Sequence, residues 1–304
     1  MSDHKADIRA SAYSAFSLHR VWALATNTVT QLLRMRILWF LVVFSIIAVG
    51  AGFAFPAMSA EQQLKLLKDV SFGALQIFSI VIAIASTALL LPRDIEDRTL
   101  YTILSKPVPR YEYLIGKLLG VLLLIGGGLL IMDIIFSGVV WLKQTLIINE
   151  QIAALEREQS ATPENIAAVT AIIEKYGLTS SIHAGVYAIF LKAAVISALA
   201  LLISCFASST LFTIVISFAF TIAGHGQFLV REFVFKSLTV TVKKALGFGL
   251  ATLCPDLKLF DFVEAAIHGE AITFAALSEA TGFAALYITL YTVVAYLFFV
   301  EKEL

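Results

Sequence analysis

Uncharged apolar stretches long enough to cross a bilayer recur along the chain, separated by short charged segments. Ile37 to Ala60 and Val70 to Pro92 hold no charge, runs of 24 and 23 positions parted by Glu61, Lys65, Lys68 and Asp69. The run from Leu118 to Leu142 is broken only by Asp133, and the run from Tyr176 to Leu191 continues past Lys192. From Ala193 to Val230 there are 38 uncharged positions with a polar break at Ser204, Ser208, Ser209 and Thr210. That reads as the inner half of one span, a tight turn and the next span. A spanning helix needs about 20 mostly apolar residues. The pattern therefore predicts an all-α integral membrane protein, one transmembrane domain over 1–304, with six spans at 37–56, 71–91, 118–141, 182–204, 210–229 and 280–300.

The connecting segments carry their own signals. Arg20 to Arg36 is amphipathic, with Val21, Trp22, Leu24, Val29, Leu32 and Leu33 against Asn27, Thr28, Gln31 and Arg34, which predicts a helix lying in the membrane interface or an early start of the first span. In the segment 143–180, Ile152, Leu155, Ile166, Val169, Ile172 and Ile173 recur at helical spacing. Thr162 reads as N-cap, Pro163 as the first helical residue and Gly177 as the stop, so a small helical hairpin is expected. In the segment 231–279, Asp261 and Glu264 form a capping-box pattern closed by Gly269. Ala245 to Leu253 is apolar but too short to span, which favours a re-entrant or interfacial piece.

Composition sharpens this picture. Hydrophobic residues make up 59% and charged residues 14% of the chain, against about 25% charged in ordinary soluble domains, and mean hydropathy is +0.89. A soluble enzyme is excluded. The 22 basic and 22 acidic residues cancel, so no bulk field favours nucleic acid. Lys5, Arg9, Arg20, Arg34 and Arg36 precede the first span, and Arg93, Arg98, Lys106, Arg110 and Lys117 fill the 92–117 loop. Both regions, and both termini, are thereby expected in the cytoplasm. Arg231, Lys236, Lys243, Lys244 and Lys258 argue the other way but are spread over a long segment with acids among them, where the rule weakens. No short apolar core with a small-residue cleavage site opens the chain, so no cleavable signal peptide is expected.

The loop 92–117 concentrates nine charges in 26 residues. Pro92 is expected to break the span, Asp94 to cap a short helix with Glu96 and Asp97 in its first turn, and Pro107 to stop it after Lys106. Leu100, Ile103 and Leu104 then share one uncovered face, beside Arg98 and Tyr101. The order of an acid, Arg98, Thr99, Leu100, then Leu104 to Arg110, then Tyr113 to Lys117 resembles the cytoplasmic loop of type-2 ATP-binding-cassette permeases, in the broad copper-enzyme-maturation and gliding-motility-like group. Arg98 stands where that family often has Gly, and Pro109 where it often has Ser. The resemblance extends to the interfacial helix, the six spans, the tight turn and the Cys254-Pro255-Asp256 segment before the last span.

The resemblance implies a transmembrane permease subunit of an ATP-driven exporter in the cell (inner) membrane, paired with a second permease copy and with two copies of a cytoplasmic ATPase. Asp94, Glu96, Asp97, Arg98, Leu100, Tyr101, Ile103 and Leu104 would form the ATPase contact. The chain has no Gly-x-x-x-x-Gly-Lys-Ser/Thr loop. No cofactor is expected on this chain, ATP and Mg being used by the partner, and no catalytic residue is assigned. The alternatives are a non-transporting membrane assembly and an intramembrane enzyme.

Three further features stand out. Asp133 and Lys192 fall at matched depths, about 12 to 14 Å from the outer boundary, if Trp141 and His183 mark the span ends, so an intramembrane pair is expected, acting in register or in a substrate path. His225 in Gly224-His225-Gly226 is a candidate pore-mouth residue. Five His and two Cys offer no metal-ligand spacing, and Gly116 with Gly120 forms one Gly-x-x-x-Gly packing signal.

Overall fold

The computed structural model describes residues 16–34, 39–53, 58–96, 108–207, 209–236 and 254–301. These are helical almost throughout, with no strand among them. The helices are α1 (Leu18–Arg34), α2 (Trp39–Phe53), α3 (Ala60–Glu96), α4 (Arg110–Arg157), α5 (Pro163–Tyr176), α6 (Ser180–Phe206), α7 (Thr210–Lys236), α8 (Val263–Ile267) and α9 (Phe274–Glu301), with a 3-10 turn at Leu257–Phe260. Among the described residues, five stretches are long and apolar enough to cross a membrane, in Ala60–Leu90, Arg110–Arg157, Pro163–Phe206, Thr210–Gln227 and Phe274–Glu301. The protein is accordingly an all-helical membrane protein. The stretch Ala245 to Leu253 lies outside the described residues.

α6 is the axis of the bundle. Every residue from Leu191 to Cys205 is buried. Alanines and serines at 193, 194, 197, 198, 200 and 204 let neighbours approach on every side. α3, α4, α7 and α9 surround it. α9 runs parallel to α6, since Tyr187 meets Thr281 near one end (3.0 Å) and Phe206 meets Phe298 near the other (5.8 Å between ring centroids). α4 runs antiparallel, with Gln144 bonded to the Leu178 backbone (2.9 Å) and Gly126 against Phe190.

Several elements exceed the sequence boundaries. α3 starts at Ala60 rather than residue 71, because its charged first turns are tied within the fold: Glu61 pairs with Lys65 at 2.6 Å, and the buried Lys68 ammonium donates to the Ala266 carbonyl at 3.3 Å. Pro92 does not end it. The helix continues to Glu96, so Asp94 and Glu96 lie within it, and the rest of the expected short helix falls outside the described residues. A proline removes one i→i−4 bond, and here that loss falls near the helix end. α4 is a single helix of 48 residues that absorbs both the end of the 92–117 loop and the first arm of the expected hairpin.

That hairpin is therefore a cap built from the ends of α3 and α4 together with α5. Leu64, Ile147 and Ile173 form its small core, and Tyr176 packs between the Lys65 and Lys175 ammoniums, 4.5 and 5.4 Å from its ring. The Thr162 hydroxyl accepts from the Asn165 N–H (3.3 Å) ahead of Pro163, as expected. Gly177 closes α5, as expected, with its bare α-carbon against the Gln144 side-chain amide. α8 is capped one residue later than expected, at Phe262, and Asp261 makes no side-chain cap. Its end does follow the glycine: the Gly269 and Glu270 N–H groups bond to the Ala266 and Ala265 carbonyls at 3.3 and 2.9 Å. Gly269 has φ of 70°, and its α-carbon faces the Lys175 carbonyl, which a Cβ would strike. Gly269→Ala should cost at least about 1–2 kcal/mol from backbone conformation alone. A lowered thermal midpoint in detergent, with Gly73→Ala unchanged as a control in open space, checks this.

Candidate functional site at the head of α4

The first two turns of α4, Arg110 to Lys117, gather the ends of the molecule. Glu112, fully buried, accepts three bonds from the start of α1: Arg20 Nε to Oε2 at 2.6 Å, Arg20 Nη2 to Oε1 at 2.8 Å, and the Ser17 backbone N–H to Oε1 at 2.8 Å. A bidentate guanidinium on a carboxylate fixes orientation as well as distance. The bond to Glu112 pushes the Arg20 pKa further above its ordinary value, so the clasp keeps its charge.

Glycines then let the two helices touch. A Cβ on Gly116 would lie 2.6 Å from the Leu24 Cβ and 3.1 Å from the Val21 carbonyl, and one on Gly120 would lie 2.6 Å from the Thr28 Cβ and 2.8 Å from the Ala25 carbonyl. The Gly-x-x-x-Gly signal thus marks the dock for α1, whose Val21, Ala25, Thr28 and Leu32 are buried. Leu18 and Trp22 remain exposed on its other side, suited to the interface. Residues 35–38, which join α1 to α2, lie outside the described residues.

The same turns hold the last turn of α9. Arg110 Nη1 donates to the Phe299 and Val300 carbonyls at 3.1 and 2.8 Å, placing a cation where a helix C-terminus favours one. Tyr113 stacks on Phe299 (5.8 Å), and Tyr111 lies between Phe16 and Tyr296 (6.5 and 6.3 Å). Lys117 reaches Gln31 at 3.5 Å. α1, α9 and the α6–α7 turn therefore meet at one end of the bundle. Arg20 and Glu112 escaped the sequence reading, though a charged residue near each end of a charge-poor helix was the available signal.

Of the expected loop contact, Asp94 and Glu96 fall in the last turns of α3. Asp97, Arg98, Leu100, Tyr101, Ile103 and Leu104 lie outside the described residues, as does Ser208 of the tight turn. That turn ends α6 at Phe206 and starts α7 at Thr210, with the Ser209 hydroxyl accepting from the Phe212 N–H at 3.3 Å.

The expected pairing of Asp133 with Lys192 does not form. Asp133 Oδ2 is bonded to His183 Nδ1 at 2.7 Å, and the other carboxylate oxygen is buried without a partner. The error lay in the ruler. Trp141 does not end α4, which runs on to Arg157, so depth counted from it misplaced the register. Gly126 meets Phe190, which puts Lys192 level with Leu124, roughly 13.5 Å along α4 from Asp133 at 1.5 Å per residue. The Lys192 ammonium is 1% exposed and has no hydrogen-bond partner. His225 is half-buried on the side of α7 facing α3, its Nδ1 on the Thr221 carbonyl at 2.9 Å and its Nε2 3.4 Å from Gln76. Cys205 and Cys254 are buried toward opposite ends of the bundle.

Compared with known proteins, the chain matches no family model and no curated sequence.

Two outcomes follow from this geometry. Gly120→Val should expel α1 at a cost of about 1–3 kcal/mol, read as a rise in thiol labelling of an Ala25→Cys reporter that is slow in the parent. Asp133→Asn and Lys192→Met should be additive in thermal stability to within about 0.5 kcal/mol, whereas Asp133→Ala and His183→Ala should couple beyond that margin.

Proposed function

We propose that the chain is the transmembrane permease subunit of an ATP-driven exporter, working as a pair with a second permease copy and powered by two copies of a cytoplasmic ATPase that bind ATP and Mg. The observation that carries this reading is the head of α4. The segment Tyr113 to Lys117, which enters the sequence resemblance, is also where α1 and the end of α9 are fastened, shortly after residues 97–107 in the chain. A partner that moves this loop moves the junction of three helices.

Connectivity supports six crossings. α1 and the end of α9 meet at the head of α4, so the chain between them crosses an even number of times. α3, α4, α6, α7 and α9 make five, and α2 supplies the sixth. Its 15 described residues measure about 22 Å at 1.5 Å per residue, and the uncharged sequence continues beyond both ends to residues 37 and 60. On this reading the head of α4 and both termini face the cytoplasm, as the Lys and Arg distribution favours, and the cap lies outside. The membrane is the cell (inner) membrane. Exposed apolar residues on α4, α7 and α9 meet lipid or the second copy.

Leu104→Glu should abolish co-purification of the ATPase while membrane insertion is retained, and full recovery of the ATPase would remove the loop as the contact. In sealed vesicles, thiols introduced by Ser105→Cys and Ala153→Cys should label from opposite sides. Labelling from one side would overturn the six-crossing arrangement.

A further inference from the structure

At the cap end a cleft of about 700 Å³ opens between the first turns of α3 and the segment 261–268 that contains α8. That volume suits a small-ligand site. Its two walls are fixed from behind. The Lys68 ammonium of α3 donates to the Ala266 carbonyl of α8 at 3.3 Å, and the Ala266 methyl rests on the bare α-carbon of Gly185 in α6, beside Phe72. Leu66, Asp69 and Gln76 line the cleft from α3, and Asp261, Val263, Glu264 and Ile267 line it from the other wall.

The polar groups of this lining are mainly acceptors. Asp69, Asp261 and Glu264 are exposed, and none of their carboxylates has an ion pair or a hydrogen bond. His225 Nδ1 donates to the Thr221 carbonyl, so its Nε2 accepts from the Gln76 amide nitrogen, which leaves the Gln76 carbonyl oxygen free to accept. His268 also lines the cleft and takes either role. The lining's lysine, Lys65, is already paired with Glu61 at 2.6 Å and lies over the Tyr176 ring. A cleft carrying one sign of charge between low-dielectric walls concentrates ions of the opposite sign. Its carboxylates do not converge on one point: among the described residues, no three His, Cys, Asp or Glu side chains are grouped to hold a metal ion. Acceptors set apart on two walls, with Leu66, Val263 and Ile267 in the same lining, suit a ligand whose positive charges are separated by methylenes. We propose that this cleft is a binding site for a linear aliphatic polyamine, its ammoniums on Asp69, Asp261 and Glu264 and its methylenes against the apolar side chains.

The test is calorimetric titration of the purified full-length chain with spermidine, in nanodiscs of phosphatidylcholine so that the lipid carries no net charge. Spermidine should bind saturably, and Asp69→Asn, Asp261→Asn and Glu264→Gln should each raise its Kd by about two- to fivefold, the range of an exposed ion pair. The triple variant should show no saturable binding. Glu164→Gln, which removes an exposed carboxylate of α5 outside the lining, should keep the parent Kd. An equal concentration of magnesium should leave spermidine bound. No saturable binding by the parent, a parent Kd in all three single variants, equal weakening by Glu164→Gln, or full displacement by magnesium would each overturn the site. The three carboxylates are exposed, and a parent-like thermal midpoint in each variant separates lost binding from lost fold. The readout involves neither an ATPase nor transport, so failure here leaves the exporter reading standing.

Discussion

The arrangement depends on covering α6. In a bilayer, lipid tails are as apolar as leucine, so helices associate through close packing and polar contacts rather than through hydrophobic exclusion. A helix buried without interruption from Leu191 to Cys205 requires a neighbour on every face. α3, α4, α7 and α9 are those neighbours. Its alanines and serines shorten the interhelical distance, which multiplies weak dispersion contacts that are small singly. Once α6 is enclosed, the other helices have one face committed inward and leave the opposite face to lipid or to another subunit.

Where helices pack with glycines, orientation is set by few groups. At the head of α4, Gly116 and Gly120 bring α1 to near backbone contact, but a smooth glycine surface alone permits sliding. The Glu112 carboxylate stops that by holding Arg20 at two points and the Ser17 N–H at a third. Arg110 does the same for α9 by bonding its terminal carbonyls. Close approach gives contact area, and charge-assisted bonds give register.

Local chemistry was readable in the sequence, and register was not. Thr162, Pro163 and Gly269 announced helix ends because capping depends on residues adjacent in the chain. The amphipathic α1 and the turn between α6 and α7 were legible for the same reason. Helix lengths were misread wherever charge was taken for a boundary. Glu61 and Lys65 neutralise each other within α3, and Lys68 finds a carbonyl from α8, contacts no short window of sequence contains. The pairing of Asp133 with His183 instead of Lys192 has the same origin, since sliding two long helices past each other changes partners without changing either sequence. At the candidate site the glycine signal was visible, but its target, α1, was not.

The two ends of the bundle are bound by different contacts, and α4 joins them. At its head, ionic bonds, carbonyl contacts and stacked rings fasten α1 and α9. At its far end Gln144 ties it to the turn into α6, and Ile147 packs in the cap core with Leu64 and Ile173. A continuous helix of 48 residues is about 72 Å long at 1.5 Å per residue, longer than the bilayer is thick. On the proposed reading, a tilt imposed at the head is carried to the cap as lateral displacement that grows with distance along the rod. α5 moves with it, and so does the Lys175 carbonyl against which Gly269 turns. The strap 261–268 ends at that glycine. Displacement at the head thus reaches the segment 261–268 through packed backbone.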